Sequence, residues 1–392
     1  MKTIQLIFLF ICQMSCAYAH EWQILIANTT INHIVVNPHN PSTILVGSDD
    51  GLFRTQNDGQ TWGIIGENIA NTVQHLAFNP QNPQMIYAVA GNYVEGIYRS
   101  SEIYQSQDVG TTWQKLDKTF IPGIVDLKVN PNNPNILYAL TDTGLFYKSI
   151  NAGKQWGAAI NSSGHRAVTN ADMMVLHPFN PDIIYVTLLQ TPFNPTNVGL
   201  FQSVNQGETW SKVDSNNYLF QPMDIERLPV AINPHNPLEF YLGGQGKRTI
   251  YKSTDGGITG FEISEDKLPL TIETININPH QPKIVYLGTT AGLYRTINEG
   301  KSWQLLVSNA GNKELHIKTI AVNPHDPDTL YIGTVGHGLY QFIVTKKCVA
   351  NYDTQTTKIT IPCLLVNSEA PQFKVELQKI ENEALFEVSE LK

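Results

Sequence analysis

No stretch of this chain gathers basic residues, and charged side chains of either sign make up only 15% of it. With 26 Lys and Arg against 34 Asp and Glu, the formal net charge is −8. A phosphate backbone is neutralised by clustered cations, so the composition argues against nucleic acid as a partner. Long apolar runs are also scarce. The most prominent, Ile4–Cys12, is shorter than the ~20 residues a membrane helix needs, and no membrane span is expected. That run follows Lys2 and precedes Ala17-Tyr18-Ala19, the arrangement of a secretory signal with a small-residue cleavage site. Residues 1–19 are read as this signal, with a mature chain from His20 that is secreted or periplasmic. A lipid anchor on Cys16 is the alternative, but Gln13-Met14-Ser15 matches the usual lead-in poorly. Cysteine is sparse too. Cys12 and Cys16 fall in the signal, leaving Cys348 and Cys363, which an exported chain is expected to join in one disulfide worth about 3 kcal/mol.

What is present in quantity is turn formers, 28 Gly and 22 Pro, beside 42% hydrophobic residues. That mixture suits a turn-rich β protein. The turns recur in register. "VVNPHNP" begins at Val35, and six further copies begin at Ala77, Lys128, Val175, Ala231, Asn276 and Ala321. Each is followed by an apolar run such as "MIYAV" or "IVYLG", then by a glycine-led run such as "GLFRT", "GIYRS" or "GLYRT". Short strands at this period predict the blades of a propeller. After the third strand comes a box: "TQNDGQTW" at Thr55–Trp62, "SQDVGTTW" at Ser106–Trp113, "SINAGKQW" at Ser149–Trp156, "SVNQGETW" at Ser203–Trp210 and "TINEGKSW" at Thr296–Trp303. "STDGGITGF", from Ser253, is a decayed copy in which Phe261 is expected to replace the tryptophan. Six boxes serve seven repeats. "EWQIL" at Glu21–Leu25 matches "SWQLL" at Ser302–Leu306, so the N-terminal strand is expected to complete the seventh blade and close the ring.

The box resembles the Asp-box, or bacterial neuraminidase repeat, over nearly all of residues 20–345. Families sharing it include sialidases, xyloglucanase-type endoglucanases, sortilin-type receptors and photosystem II assembly-factor propellers. The wording of the repeat is most similar to the last group and to the endoglucanases. The resemblance implies an all-β, seven-bladed propeller, and it implies that Asp108 and its register-mates Asn57, Asn151, Asn205, Asp255 and Asn298 are turn residues. The residues support the same conclusion. Asn accepts the hydrogen bond that Asp accepts but cannot ionise, so a position where the two interchange is not a general acid. Trp62, Trp113, Trp156, Trp210 and Trp303 are read as packing between blades. Arg54, Arg99 and Arg295 are read as scaffold, because Lys148, Gln202, Lys252 and Gln341 stand in register with them.

The resemblance implies that ligands bind on the face opposite the boxes, around the central channel, and the sequence agrees in that this face is the less repetitive one. There the loops of blades three to five are long, and they hold His165, Arg166, Asp172, Tyr218, Asp224, Glu226, Arg227, Lys247 and Arg248. Arg166, Arg227 and Arg248 would suit a carboxylate ligand; ion pairs within the loops are the bland alternative. The starts of the inner strands, at Asn32-His33, Gln74-His75, Asp126, Asp172, Glu273 and Lys318, are expected to rim the channel. No HExxH or CxxC spacing supports a metal, and no cofactor is implied. His39, His235, His280 and His325 are read as turn residues. Residues 346–392 are read as a small β module. The expectation is a monomeric, non-enzymatic binding propeller for a protein or glycan. The alternative is a glycoside hydrolase, sialidase- or xyloglucanase-like, using Asp172 with Asp224 or Glu226 and Tyr218. The Arg-Ile-Pro motif of sialidases is missing, and the acidic chain lacks the Arg-rich face of the assembly factors.

Overall fold

The structure is a computed structural model, and it describes residues 19–69, 72–94, 97–116, 121, 123–157, 160–161, 170–189, 199–213, 228–243, 249–263, 268, 271–310, 313–345, 351–353, 358–360, 373–380 and 383–390. Seven four-stranded antiparallel sheets repeat along the chain. In the first, Ile31–Val36, Ile44–Ser48, Gly51–Thr55 and Gly63–Ile65 pair in chain order. The same order holds in the next five. The seventh has Ala19–Ala27 beside Gly338–Thr345, so the earliest described strand pairs with the last strand of the ring. The chain is a seven-bladed β-propeller, closed as the sequence implied.

The second strand of each blade is the most buried. Ile44–Ser48, Leu137–Thr141 and Val285–Thr289 are enclosed on both sides, because each faces a neighbouring blade. Tyr87, Tyr138, Tyr241, Tyr286 and Tyr331 hold equivalent places with their rings buried. Close approach of blades is written into one glycine position. A Cβ on Gly47 would lie 2.8 Å from the carbonyl oxygen of Val73 in the next blade, and one on Gly333 would lie 2.6 Å from Ile31, across the closure. Clefts between blades take the box tryptophans. Trp113, 7% exposed, packs with Leu45 and Leu52 of the first blade and Val73 and Tyr104 of its own.

Two expectations fail here. Phe261 does not fill the missing tryptophan's place, since it is 54% exposed. It stands one residue after the tryptophan position, and strand alternation turns it to the opposite face. Leu200, Phe240 and Val213 pack in that cleft instead. In the second blade the third strand is Ile97–Ser106, and Gln105 opposite Tyr87 corresponds to Arg54 opposite Leu45. Arg99 therefore lies in an extension of the Ile86–Val94 hairpin and is not a register-mate of Arg54.

The chain forms two compact units, Trp22–Phe342 and a second of residues 1–21 and 343–392. Among its described residues the second unit has two hairpins, Asn351–Asp353 with Lys358–Thr360 and Phe373–Ile380 with Glu383–Glu390. Cys348 and Cys363 lie outside the described residues. No helix among the described residues is long and apolar enough to cross a membrane.

Candidate functional site: the central channel

Each box turn is held by its own hydroxyl and Asx side chains. In the second blade, Ser106 Oγ accepts the Gly110 N–H at 2.8 Å and donates to Asp108 Oδ1 at 2.8 Å. Asp108 also accepts the Thr112 N–H at 2.8 Å and its hydroxyl at 2.6 Å. Burial alone would raise this carboxyl's pKa. Donors from Thr112, Ser106 and Thr111 outweigh burial and hold it below the usual range. Asn205 accepts from the Ser203 hydroxyl and the Thr209 N–H in the same way, and Asn298 from Thr296 and Ser302, while each Asn Nδ2 donates to the Thr209 or Ser302 hydroxyl where Asp108 accepts one. Two successive left-handed residues follow each Asx. Val109 and Gly110 have φ of 58° and 82°.

The NP turns lie on the same face and hold a feature the sequence reading missed. His39 Nε2 bonds the Pro80 carbonyl of the next blade at 3.1 Å. Gln81 donates to the Pro131 carbonyl, and His235 and His280 reach the carbonyls of Pro279 and Pro324. His325 reaches Pro38 at 3.2 Å, across the closure. These side chains clasp one blade to the next. The signal was available: His and Gln recur at one place in the turn, and both can reach a neighbouring carbonyl.

At the opposite end the inner strands open onto a central cavity of about 710 Å³. Six inner strands carry a one-residue slip in pairing at the same position, between Ile31 and His33, Val73 and His75, Ile124 and Asp126, Ala171 and Met173, Ile272 and Thr274, and Ile317 and Thr319. A bulge re-aims side chains and leaves main-chain groups without ladder partners. Side chains of the neighbouring blade supply them. His33 Nδ1 accepts the Leu76 N–H at 3.3 Å and Asp126 Oδ2 that of Met174 at 2.9 Å; at the fifth blade, whose described inner strand pairs without a slip, Asp172 Oδ2 accepts the Leu228 N–H just before it at 2.7 Å. Lys318 donates to Asn32 Oδ1 at 2.7 Å across the closure, and His316 pairs with Glu273 at 3.2 Å.

The electrostatics follow from this belt. Burial, with the nearby His75 and Lys128, pushes His33 down to about 3 despite Asp126. The ring is therefore neutral, as its role as Nδ1 acceptor requires. Its centroid lies 5.3 Å from that of His75. For Asp126 burial acts upward, but Lys128 at 3.1 Å, His75 and the Met174 N–H prevail, and its carboxyl lies below the usual range. Asp142 differs. Burial lifts it above the usual range, against one main-chain bond from Thr143.

All the rim positions read from the sequence therefore line one cavity. Lys128, Asp142, Thr274, Asn276 and Thr319 join them, and composition marked none of these. Of the loop wall, only Asp172 is described. His165, Arg166, Tyr218, Asp224, Glu226, Arg227, Lys247 and Arg248 lie outside the described residues. No group of three or more His, Cys, Asp or Glu among the described residues is placed to hold a metal ion.

The class is thus an Asp-box β-propeller with a polar channel mouth. Comparison with known proteins agrees with it. The Sortilin-Vps10 family profile (sortilin, neurotensin receptor 3) matches residues 101–227. A xyloglucanase of Hypocrea jecorina is 30% identical over 158 residues, 37% of this chain and 18% of that protein. The GH74 xyloglucanase structure from Xanthomonas campestris has a TM-score of 0.64 at 17% identity, covering 82% of this chain and 53% of that one. YCF48 bound to D1 peptide has a TM-score of 0.62 at 17% identity, covering 83% and 97%. The chain spans less than a third of the length of the curated xyloglucanases it matches.

Proposed function

We propose that this chain is an exported, monomeric, non-enzymatic binding propeller that receives a protein or glycan ligand at the channel mouth, on the face opposite the boxes. The observation that carries this reading is the engagement of the channel carboxylates. Asp126 and Asp172 each accept a main-chain N–H from the next blade, and Asp126 also pairs with Lys128. A carboxylate spent on joining blades is poorly placed to act as nucleophile or base. Coverage supports the reading as well. The chain matches 97% of YCF48, whose structure holds a D1 peptide, but about half of the xyloglucanase structure.

A second reading, glycoside hydrolysis, is favoured by Asp142. A carboxyl lifted by burial suits a general acid, which then needs an ionised partner across the scissile bond. Xyloglucan oligosaccharides and aryl-sialosides incubated with the full chain test the choice. We expect no release of reducing sugar or aglycone. Turnover that disappears in Asp142→Asn or Asp172→Asn establishes the hydrolase and removes the binding reading.

A further inference from the structure

We infer that Gln74 anchors an uncharged peptide segment that enters the channel in extended form; this rests on the channel being the binding site. Gln74 is the bulge residue of the second inner strand, lines the channel and is 4% exposed. Among the described residues, neither its Nε2 nor its Oε1 has a hydrogen-bond partner. Its polar counterparts at the other bulges are all engaged. Asn32 donates to Asp49 and to the Val73 carbonyl and accepts from Lys318, Asp172 accepts from Leu228, and Glu273 pairs with His316. A buried amide with no partner is costly, and interiors seldom retain one without a role.

The chemistry of the ligand follows from what remains unmet. A Gln amide offers N–H donors and a carbonyl acceptor side by side. After a turn about its terminal bond, these match the C=O and N–H of one extended main chain. The charged lining groups Asp126, Lys128, Asp172, Glu273 and Lys318 are held within the protein, and the Asp142 carboxyl accepts a main-chain bond from Thr143. A ligand charge would compete with those contacts, whereas a neutral ligand would leave them intact. Ile34, Val125, Met173, Leu189, Ile275 and Ile320 also line the cavity and can receive the alternate side chains of an extended segment. Among the described lining residues there is no Phe, Tyr or Trp to stack on a sugar ring, which favours the peptide over the glycan.

Calorimetric titration of the full chain tests this, with acetyl-Val-Gly-Val-Gly-Val-amide as ligand and cello- and xyloglucan oligosaccharides as competitors. We expect the peptide to bind and Gln74→Leu to weaken it at least tenfold while leaving the melting temperature unchanged or higher. If Gln74→Leu lowers that temperature, Gln74→Met repeats the comparison. Affinity should change less than twofold between 50 and 500 mM NaCl, since no charge pair forms. Equal binding by a folded Gln74 variant overturns the anchor while leaving the channel reading in place. Steep salt dependence overturns the neutral ligand. No peptide binding, or binding of oligosaccharide alone, overturns the peptide. Turnover of the oligosaccharide would overturn the binding reading itself.

Discussion

The two ends of the channel solve one problem in different ways. Each blade must be tied to the next near the axis. On the box face a single device does this around much of the ring: an imidazole or amide from one NP turn meets a proline carbonyl in the next. At the mouth the ties are of four kinds: an imidazole, two carboxylates, an ammonium on an amide, and an imidazole–carboxylate pair. A repeated tie serves only the scaffold, and any blade can carry it. Varied ties give the mouth an irregular pattern of donors and acceptors, which is what recognition requires. The contrast predicts that damage on the box face is felt as lost stability, with binding unchanged in what remains folded.

The largest such effect should come from Trp113→Ala. It removes a ring wedged between two blades, at about 3–5 kcal/mol. Phe261→Ala, one residue past the vacant tryptophan position of another blade, should cost less than about 1 kcal/mol, because that ring is mostly in water. Urea titrations of both variants check the pair. Similar losses would mean that the fifth blade does use Phe261.

At the mouth, the sharper test is acidification. The folded pKa of His33 lies below its unfolded value, so its share of stability is present above about 6.5 and fades as pH falls toward 3. Between pH 6.5 and 5 one such group removes at most about 2 kcal/mol. The observed loss should be smaller, because the ring keeps an edge on the channel. Asp126 contributes its loss only below the usual carboxylate range, near pH 4, outside this window. Urea midpoints at both pH values should converge in His33→Asn. An unchanged slope in that variant would assign the pH response to another group.

Asp108 separates charge from geometry on the box face. Asp108→Ala removes an acceptor for two donors of Thr112 and one of Ser106, at about 1–2 kcal/mol. Asp108→Asn should cost under about 0.5 kcal/mol, since Asn205 and Asn298 already fill that place in their own blades. A large loss in Asp108→Asn, read by thermal melting, would show that the charge itself contributes.

Legibility in the sequence follows the same division. Blade number, the box turns and closure by the N-terminal strand could be read because repetition lets one copy correct another. The second blade misled because Ile97–Ser100 and Ile103–Ser106 are both β-prone, and only Ser106, as the first box residue, marks the true register. The rim positions could be listed from their register. Their partners could not, because a bulge is a pairing defect with no fixed residue type, and its side chains satisfy groups on another blade. Nothing in the sequence marked Lys128, because its partner Asp126 is recognisable only once both line the channel.

The finest test lies at the one NP turn that departs from its consensus. Six turns begin with Asn; in the second, Asn79 Oδ1 accepts the N–H groups of Gln81 and Asn82. In the fourth blade His177 stands there, and its Nδ1 accepts the corresponding N–H groups of Phe179 and Asn180 at 3.2 and 3.1 Å. Only a neutral ring protonated on Nε2 can do this, and burial likewise lowers the pKa of His177. Its contribution is therefore present above the ordinary histidine range and declines as pH falls through it. His177→Asn supplies the same acceptor without a titrating group. It should raise stability by about 0.5 kcal/mol near pH 6 and by less at pH 8. The gain will be small, since the turn is one of seven. Thermal melts of the two proteins at both pH values would show it as a difference that grows on acidification. A constant difference would mean that the imidazole acts there through its shape alone.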